Sequence, residues 1–174
     1  ININNSTLDV TNHLFVTEGN LSVSDFSSET IVLSDNSKLH SLNSSLAKNN
    51  SSSAMNNSLQ LYYQNVRGIN TKLKALKLSL LVCDYKLIAL TETFLNDSAS
   101  DSEISQDYVI YRSDRKFSCL NCDRGGGVLL GVCPSLKSCC LNINNFGFSK
   151  TPMIDVLIIK VINENRSIYI AVIY

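Results

Sequence analysis

Apolar positions along residues 59–174 fall into short runs separated by polar turns, whereas residues 1–58 show no sustained period. The stretch Leu59-Gln60-Leu61-Tyr62-Tyr63-Gln64-Asn65-Val66 is apolar and aromatic with partial alternation, which predicts a strand. Arg67-Gly68-Ile69-Asn70 predicts a turn, and Asn70 or Thr71 is suited to cap a helix over roughly 72–82. Leu73, Leu76 and Leu80 recur there at three and four, with Lys72, Lys74 and Lys77 on the other face. Lys86-Leu87-Ile88-Ala89-Leu90-Thr91-Glu92 predicts a short buried strand that ends in a carboxylate. Strand, helix and strand within residues 59–92 fit the length of a parallel βαβ unit.

A polar loop carrying Asp97, Asp101, Glu103 and Asp107 follows. Residues 108–112 and 127–133 predict a pair of strands joined as a hairpin across a polar connection, and 154–162 and 167–174 a second hairpin turning at Asn163-Glu164-Asn165. The last strand runs apolar into Tyr174 and the first residue is Ile, so the expectation is a fragment of a longer protein.

Residues 1–58 are Asn/Ser-rich, with runs such as Asn49-Asn50-Ser51-Ser52-Ser53 that bury too little surface to offset chain entropy. They read as a disordered leader, with Leu14-Phe15-Val16 and Thr30-Ile31-Val32-Leu33 as no more than transient strands. The triplets Asn5-Ser6-Thr7 and Asn20-Leu21-Ser22 match the glycosylation pattern, which chance supplies in such a tract.

Composition adds bounds. An apolar share of 44% in 174 residues permits one ordinary domain, and its foldable part is 59–174. The formal charge is zero but split: the leader has five carboxylates against two lysines, a net of −3, which leaves +3 for the remainder. That bias is far below the pI of about 9 that would mark a nucleic-acid binder by charge alone. No apolar run approaches the ~18 residues of a membrane helix, and no secretory signal is visible. The expectation is a soluble intracellular chain with reduced thiols. Among the six cysteines, Cys119-x-x-Cys122 has the spacing of one zinc knuckle, with Cys133, Cys139 and Cys140 as conceivable partners. The second knuckle is missing, so Cys133 reads as a small packed side chain and Cys119 and Cys122 as loop thiols.

Candidate chemistry gathers at two strand ends. If the strands ending at Asn65 and Glu92 are parallel neighbours, an amide and a carboxylate share the sheet edge where open α/β folds place ligands. Such oxygens suit Mg²⁺, which keeps water and substrate phosphate in its octahedron. The plain alternative is a turn asparagine and a solvated glutamate. Gly125-Gly126-Gly127 lacks the lysine and Ser/Thr of a P-loop, so it reads as a flexible turn entering a strand where backbones approach closely.

Four blocks resemble the endonuclease of non-LTR retrotransposons, within the endonuclease/exonuclease/phosphatase superfamily. Tyr63-Gln64-Asn65-Val66-Arg67-Gly68-Ile69 is similar to its QN-x-R-G opening and Leu90-Thr91-Glu92-Thr93-Phe94-Leu95 to its TET-x-L segment. Tyr111-Arg112-Ser113-Asp114-Arg115 with Arg124-Gly125-Gly126-Gly127-Val128 resembles its YR-x-DR and RGGGV blocks. Ile170-Ala171-Val172-Ile173-Tyr174 resembles the strand that leads into RPP. The resemblance implies an α/β sandwich of two sheets, a Mg²⁺ (or Mn²⁺) cofactor, a DNA target and a nuclear location. It implies Glu92 as principal metal ligand, Asn65 as support for the metal and its waters, and Tyr174 as a contact to the scissile phosphate. Arg67 and Arg124 become candidates for DNA contact.

The family pattern continues with an Asp-x-Asn pair, an Asp and a terminal Asp-His pair, none of which has a counterpart here. The two histidines, His13 and His40, lie in the leader. The expectation is therefore a partial sandwich, about one of the two sheets plus a helix, with an exposed apolar inner face, poor solubility and no meaningful nuclease activity. The competing expectations are a non-catalytic remnant or interaction protein, and a phosphatase of the same superfamily.

Overall fold

The computed structural model describes residues 13–18, 40–42, 59–82, 84–116, 125–148 and 154–174. In chain order these form β1 (His13–Glu18), β2 (His40–Leu42), β3 (Leu59–Asn65), α1 (Leu73–Val82), β4 (Leu87–Thr91), α2 (Asp101–Ile104), β5 (Val109–Ser113), β6 (Val128–Val132), β7 (Lys137–Cys140), a 3-10 turn (Ile143–Phe146), β8 (Val156–Asn163) and β9 (Arg166–Ile173). The strands make two sheets, ordered β2-β3-β4-β6-β5 and β1-β9-β8-β7. β3 and β4 pair in parallel, with Asn65 opposite Thr91, as the βαβ reading requires. The β5–β6 and β8–β9 pairs are antiparallel, the latter closing through Glu164-Asn165.

The expected mix of helices and sheets is present, but where about one sheet was expected there are two, and they cover one another. Alternate residues of β3 (Leu59, Leu61, Tyr63), β4 (Leu87, Ala89) and β6 (Val128, Leu130, Val132) pack against Leu157, Ile159 and Val161 of β8 and Ile168, Ile170 and Val172 of β9. The inner face of the first sheet is thus the middle of a core. Alternation told which side chains share a face; it did not tell that the final hairpin lies over the first sheet instead of extending it.

The opposite face of the first sheet is covered as well. Ile88, Leu90 and Leu129 pack with Leu76 of α1, Ile104 of α2, and Val66, Ile69 and Leu95 from the loops between. A strand covered on both sides must be apolar throughout, which is why β4 and β6 read as unbroken hydrophobic runs. Residues 141–148 fold over the outer face of the second sheet, where Ile143 meets Val156, Ile158 and Ala171. α1 is entered through a backbone turn, Lys72 N–H bonding the Ile69 carbonyl, with the Lys72 ammonium on the Val66 carbonyl.

Two pieces of the leader depart from the disordered reading. β1 pairs antiparallel with β9 and β2 with β3. Both sit at sheet edges. Asn5, Asn20, residues 30–33 and the Asn/Ser run at 49–53 lie outside the described residues, as do Cys119 and Cys122. Cys133 is half-buried, and Cys139 and Cys140 are exposed on β7; all three are free thiols. No helix among the described residues is long and apolar enough to cross a membrane.

Candidate functional site

Among the described residues seven chain segments end or begin at one rim of the sandwich: the C-terminal ends of β3, β4, β5 and β9, the start of β1, and the residues just before β6 and β8. The apolar strands fix where their ends lie, so whatever follows them is brought together by the core.

Beyond their strand ends, three of these segments stay stitched through the backbone. Val66 N–H bonds the Thr91 carbonyl at 2.9 Å, Gly68 that of Glu92 at 2.7 Å and Ile69 that of Thr93 at 3.0 Å. Thr93 and Phe94 N–H groups bond the carbonyls of Gly127 and Gly126, each at 3.1 Å. The ladder continues only because its residues leave the ordinary β region: Arg67, Glu92 and Phe94 have φ of 44°, 54° and 55°. A left-handed L-residue costs roughly 1–2 kcal/mol, and such strain persists where the surroundings impose it. The glycine corner follows the same logic, and at Gly126 and Gly127 it shows the close approach that a glycine turn allows. A Cβ on Gly127 would stand 2.5 Å from the Thr93 hydroxyl, and one on Gly126 2.3 Å from Arg115 Nε.

Within this frame three side chains converge. Asn65 Nδ2 donates to Glu92 Oε1 at 2.8 Å, and the Tyr174 hydroxyl donates to the same oxygen at 2.8 Å. A carboxylate only accepts, so the asparagine turns its NH₂ toward it. The Asn65 Oδ1 accepts instead from Arg67 N–H at 3.2 Å. Asn65 thus holds Glu92 through its amide nitrogen. Burial, aided by the hydrogen bond and the charge of Glu92, pushes the Tyr174 phenol up to about 12, against a lowering pull from Arg115. Tyr174 therefore keeps its proton at neutral pH and donates it in the hydrogen bond to Glu92.

Behind Tyr174 stands a group that motif reading did not single out. Arg115 lies with its guanidinium carbon 5.2 Å from the centre of the Tyr174 ring, within cation–π range. Its Nη2 pairs with Asp155 Oδ2 at 2.8 Å, and that oxygen also accepts Gly127 N–H at 2.8 Å. Asp155 is only 5% exposed, the one buried carboxylate among the described residues. Its backbone exchanges both hydrogen bonds with Tyr174, at 2.9 and 3.0 Å. Arg115 and the glycines stand inside the quoted blocks but carried no assigned role. Asp155 left one trace in the sequence, an acid opening an otherwise apolar strand.

Of the other sequence candidates, Arg67 is exposed at the rim and Arg124 lies outside the described residues. His13 sits opposite Ile173 in the β1–β9 register, one residue from Tyr174, whereas His40 pairs with Leu61 far from the rim. Nearby, Arg112 bonds the Ala99 carbonyl and pairs with Asp101 and Asp114. Burial raises the Asp114 carboxyl above its ordinary value despite the Arg112 charge. No group of three or more His, Cys, Asp or Glu side chains suited to a metal occurs among the described residues. No protein-family model matches the chain, and no curated protein matches it either.

Proposed function

We propose that this rim is the metal-seating half of a phosphodiester-cleaving centre, that of a Mg²⁺- (or Mn²⁺-) dependent DNA endonuclease of the endonuclease/exonuclease/phosphatase type. The observation that carries the reading is the convergence of Asn65 and Tyr174 on one oxygen of Glu92, each at 2.8 Å. The donor set fits a hard cation: Glu92 is an oriented carboxylate whose Oε2 has no hydrogen bond within the described residues, and Mg²⁺ needs only one or two protein carboxylates. The bound ion supplies Lewis-acid polarisation of a phosphoryl oxygen and stabilises the leaving oxygen.

The chain's own residues do the rest. Asn65 and Tyr174 fix the carboxylate's rotamer before a ligand arrives, which removes an ordering cost from binding. The Tyr174 proton is a donor that a phosphate oxygen can take over from Glu92. Arg67 stands exposed at the same rim and is suited to a neighbouring phosphate. The Asp-x-Asn and Asp-His pairs of the resembled pattern, which would position the attacking water, have no counterpart in this sequence, so binding without turnover is expected of it.

Calorimetric titration with Mg²⁺, alone and with a short DNA duplex, tests the reading. Binding to the chain that tightens with DNA and is lost in Glu92→Gln is the expected result, with supercoiled plasmid left intact. Mg²⁺ binding indifferent to Glu92, or none, overturns it.

A further inference from the structure

We propose that Asp155 is a positioning residue for Tyr174: by clamping the Arg115 guanidinium against the glycine corner, it fixes the support of the phenol ring and so aims the hydroxyl at Glu92. Its functional consequence rests on the reading of the rim as a metal site; the geometry itself does not.

Tyr174 directly follows β9, and the residue opposite it in the continued β8–β9 ladder is Asp155. What holds it comes from residue 155. The two-way backbone bond between Asp155 and Tyr174 sets where the Cα of Tyr174 lies. The Asp155 carboxylate then reaches past its own strand to two groups of the other sheet's loops, Arg115 Nη2 and Gly127 N–H, each at 2.8 Å. Arg115 in turn stands at the Tyr174 ring.

One carboxylate thus ties the second sheet, which carries Tyr174, to the loops beside the first, which carries Glu92. A hydrogen bond of 2.8 Å between residues 82 positions apart leaves little tolerance for slip between the sheets. The fit around the clamp is tight: a Cβ at Gly126 would lie 2.5 Å from Asp155 Oδ2 and 2.4 Å from Arg115 Cζ. That explains a glycine at a position which already needs a positive φ of 67°.

The experiment is NMR on the full chain without metal, with tyrosine rings and arginine side chains labelled. In the parent, Arg115 side-chain protons should show cross-relaxation to the Tyr174 ring, and the Tyr174 hydroxyl proton should exchange slowly. Absence of the Arg115–Tyr174 cross-peaks overturns the proposal before any variant is made. Asp155→Asn keeps an acceptor for Gly127 and removes the charge that holds Arg115. It should speed Tyr174 hydroxyl exchange on the order of tenfold, the loss expected for a charge-assisted contact, while Leu130 and Ile159 methyl shifts in the core stay put. Unchanged Tyr174 signals in a folded Asp155→Asn chain overturn it.

If that variant does not fold, the Arg115→Met/Asp155→Asn pair removes both charges and leaves none unpaired. It should show the same loosening of Tyr174 in a folded chain, and a Tyr174 indistinguishable from the parent's contradicts the clamp. These readouts need no ion, so failure of Mg²⁺ to bind would sink the metal reading and leave the clamp standing.

Discussion

All five residues of β4, Leu87–Thr91, are buried; the next residue, Glu92, is half-exposed, charged and left-handed. At β8 the apolar Val156–Ile159 follow a carboxylate too, but there Asp155 is buried and paired with Arg115. The middle of the sandwich is held by non-directional burial, in which neighbouring side chains of similar size substitute for one another at modest cost. The rim is held by directional contacts between single atoms: two donors on one carboxylate oxygen, two on another, and a backbone ladder forced through positive φ. The first region supplies the stability that the second spends, as strained and polar groups at a functional site require.

Substitutions can test that division. The largest effect belongs to the core: Ile159→Ala or Leu130→Ala, both fully buried between the sheets, should cost about 2–5 kcal/mol in denaturant unfolding. At folding conditions, both variants should retain the Tyr174–Glu92 signature. Gly126→Ala adds a methyl where a positive φ and the Arg115–Asp155 pair leave no room; a loss of roughly 1–3 kcal/mol is expected. It should perturb Tyr174 before it perturbs the core, the reverse of the core variants.

Arg67→Gly goes the other way. Arg67 is exposed and left-handed at φ 44°, so relieving the strain should raise stability by about 0.5–1 kcal/mol after the entropy of the unfolded glycine is charged against it. Affinity for DNA should fall in the same variant, a trade of function for stability.

The smallest effect is read from pH. Burial raises Tyr62, Tyr108 and Tyr174, the last to about 12, above the ordinary 10.0. The folded state thus favours the protonated phenols. Their contribution is fully present below pH 10 and is lost as pH rises toward 12. Alkaline unfolding should be shallower in Tyr174→Phe than in the parent.

Much of this division could be read from the residues alone. Leu87-Ile88-Ala89-Leu90 and Val128-Leu129-Leu130 announced buried strands because both faces of their sheet are covered, and the β3–α1–β4 unit put Asn65 and Glu92 on one edge. Tyr174 was assigned to the site by resemblance alone, since nothing in its own strand marks it; its hydroxyl donates to Glu92 Oε1. β7 escaped because Lys137-Ser138-Cys139-Cys140 is an exposed edge strand with no apolar face to betray it. The centre of β1, Leu14-Phe15-Val16, showed as a transient strand, whereas the three residues of β2 left no mark beside the Asn/Ser-rich stretches. The second sheet escaped for another reason: period-two alternation assigns residues to faces but is silent on which face meets which. Asp155 had no periodic signature at all, since its partners, Arg115, Gly127 and Tyr174, come from three distant segments.

Whether a divalent ion seats at Glu92 decides the proposed function. Titrating the labelled chain with Mn²⁺ and mapping paramagnetic broadening along the backbone measures this directly. Broadening centred on residues 65, 92 and 174, abolished by Glu92→Gln and displaced by Mg²⁺, is the predicted result. Broadening centred elsewhere, or unchanged when Glu92 loses its charge, would contradict it.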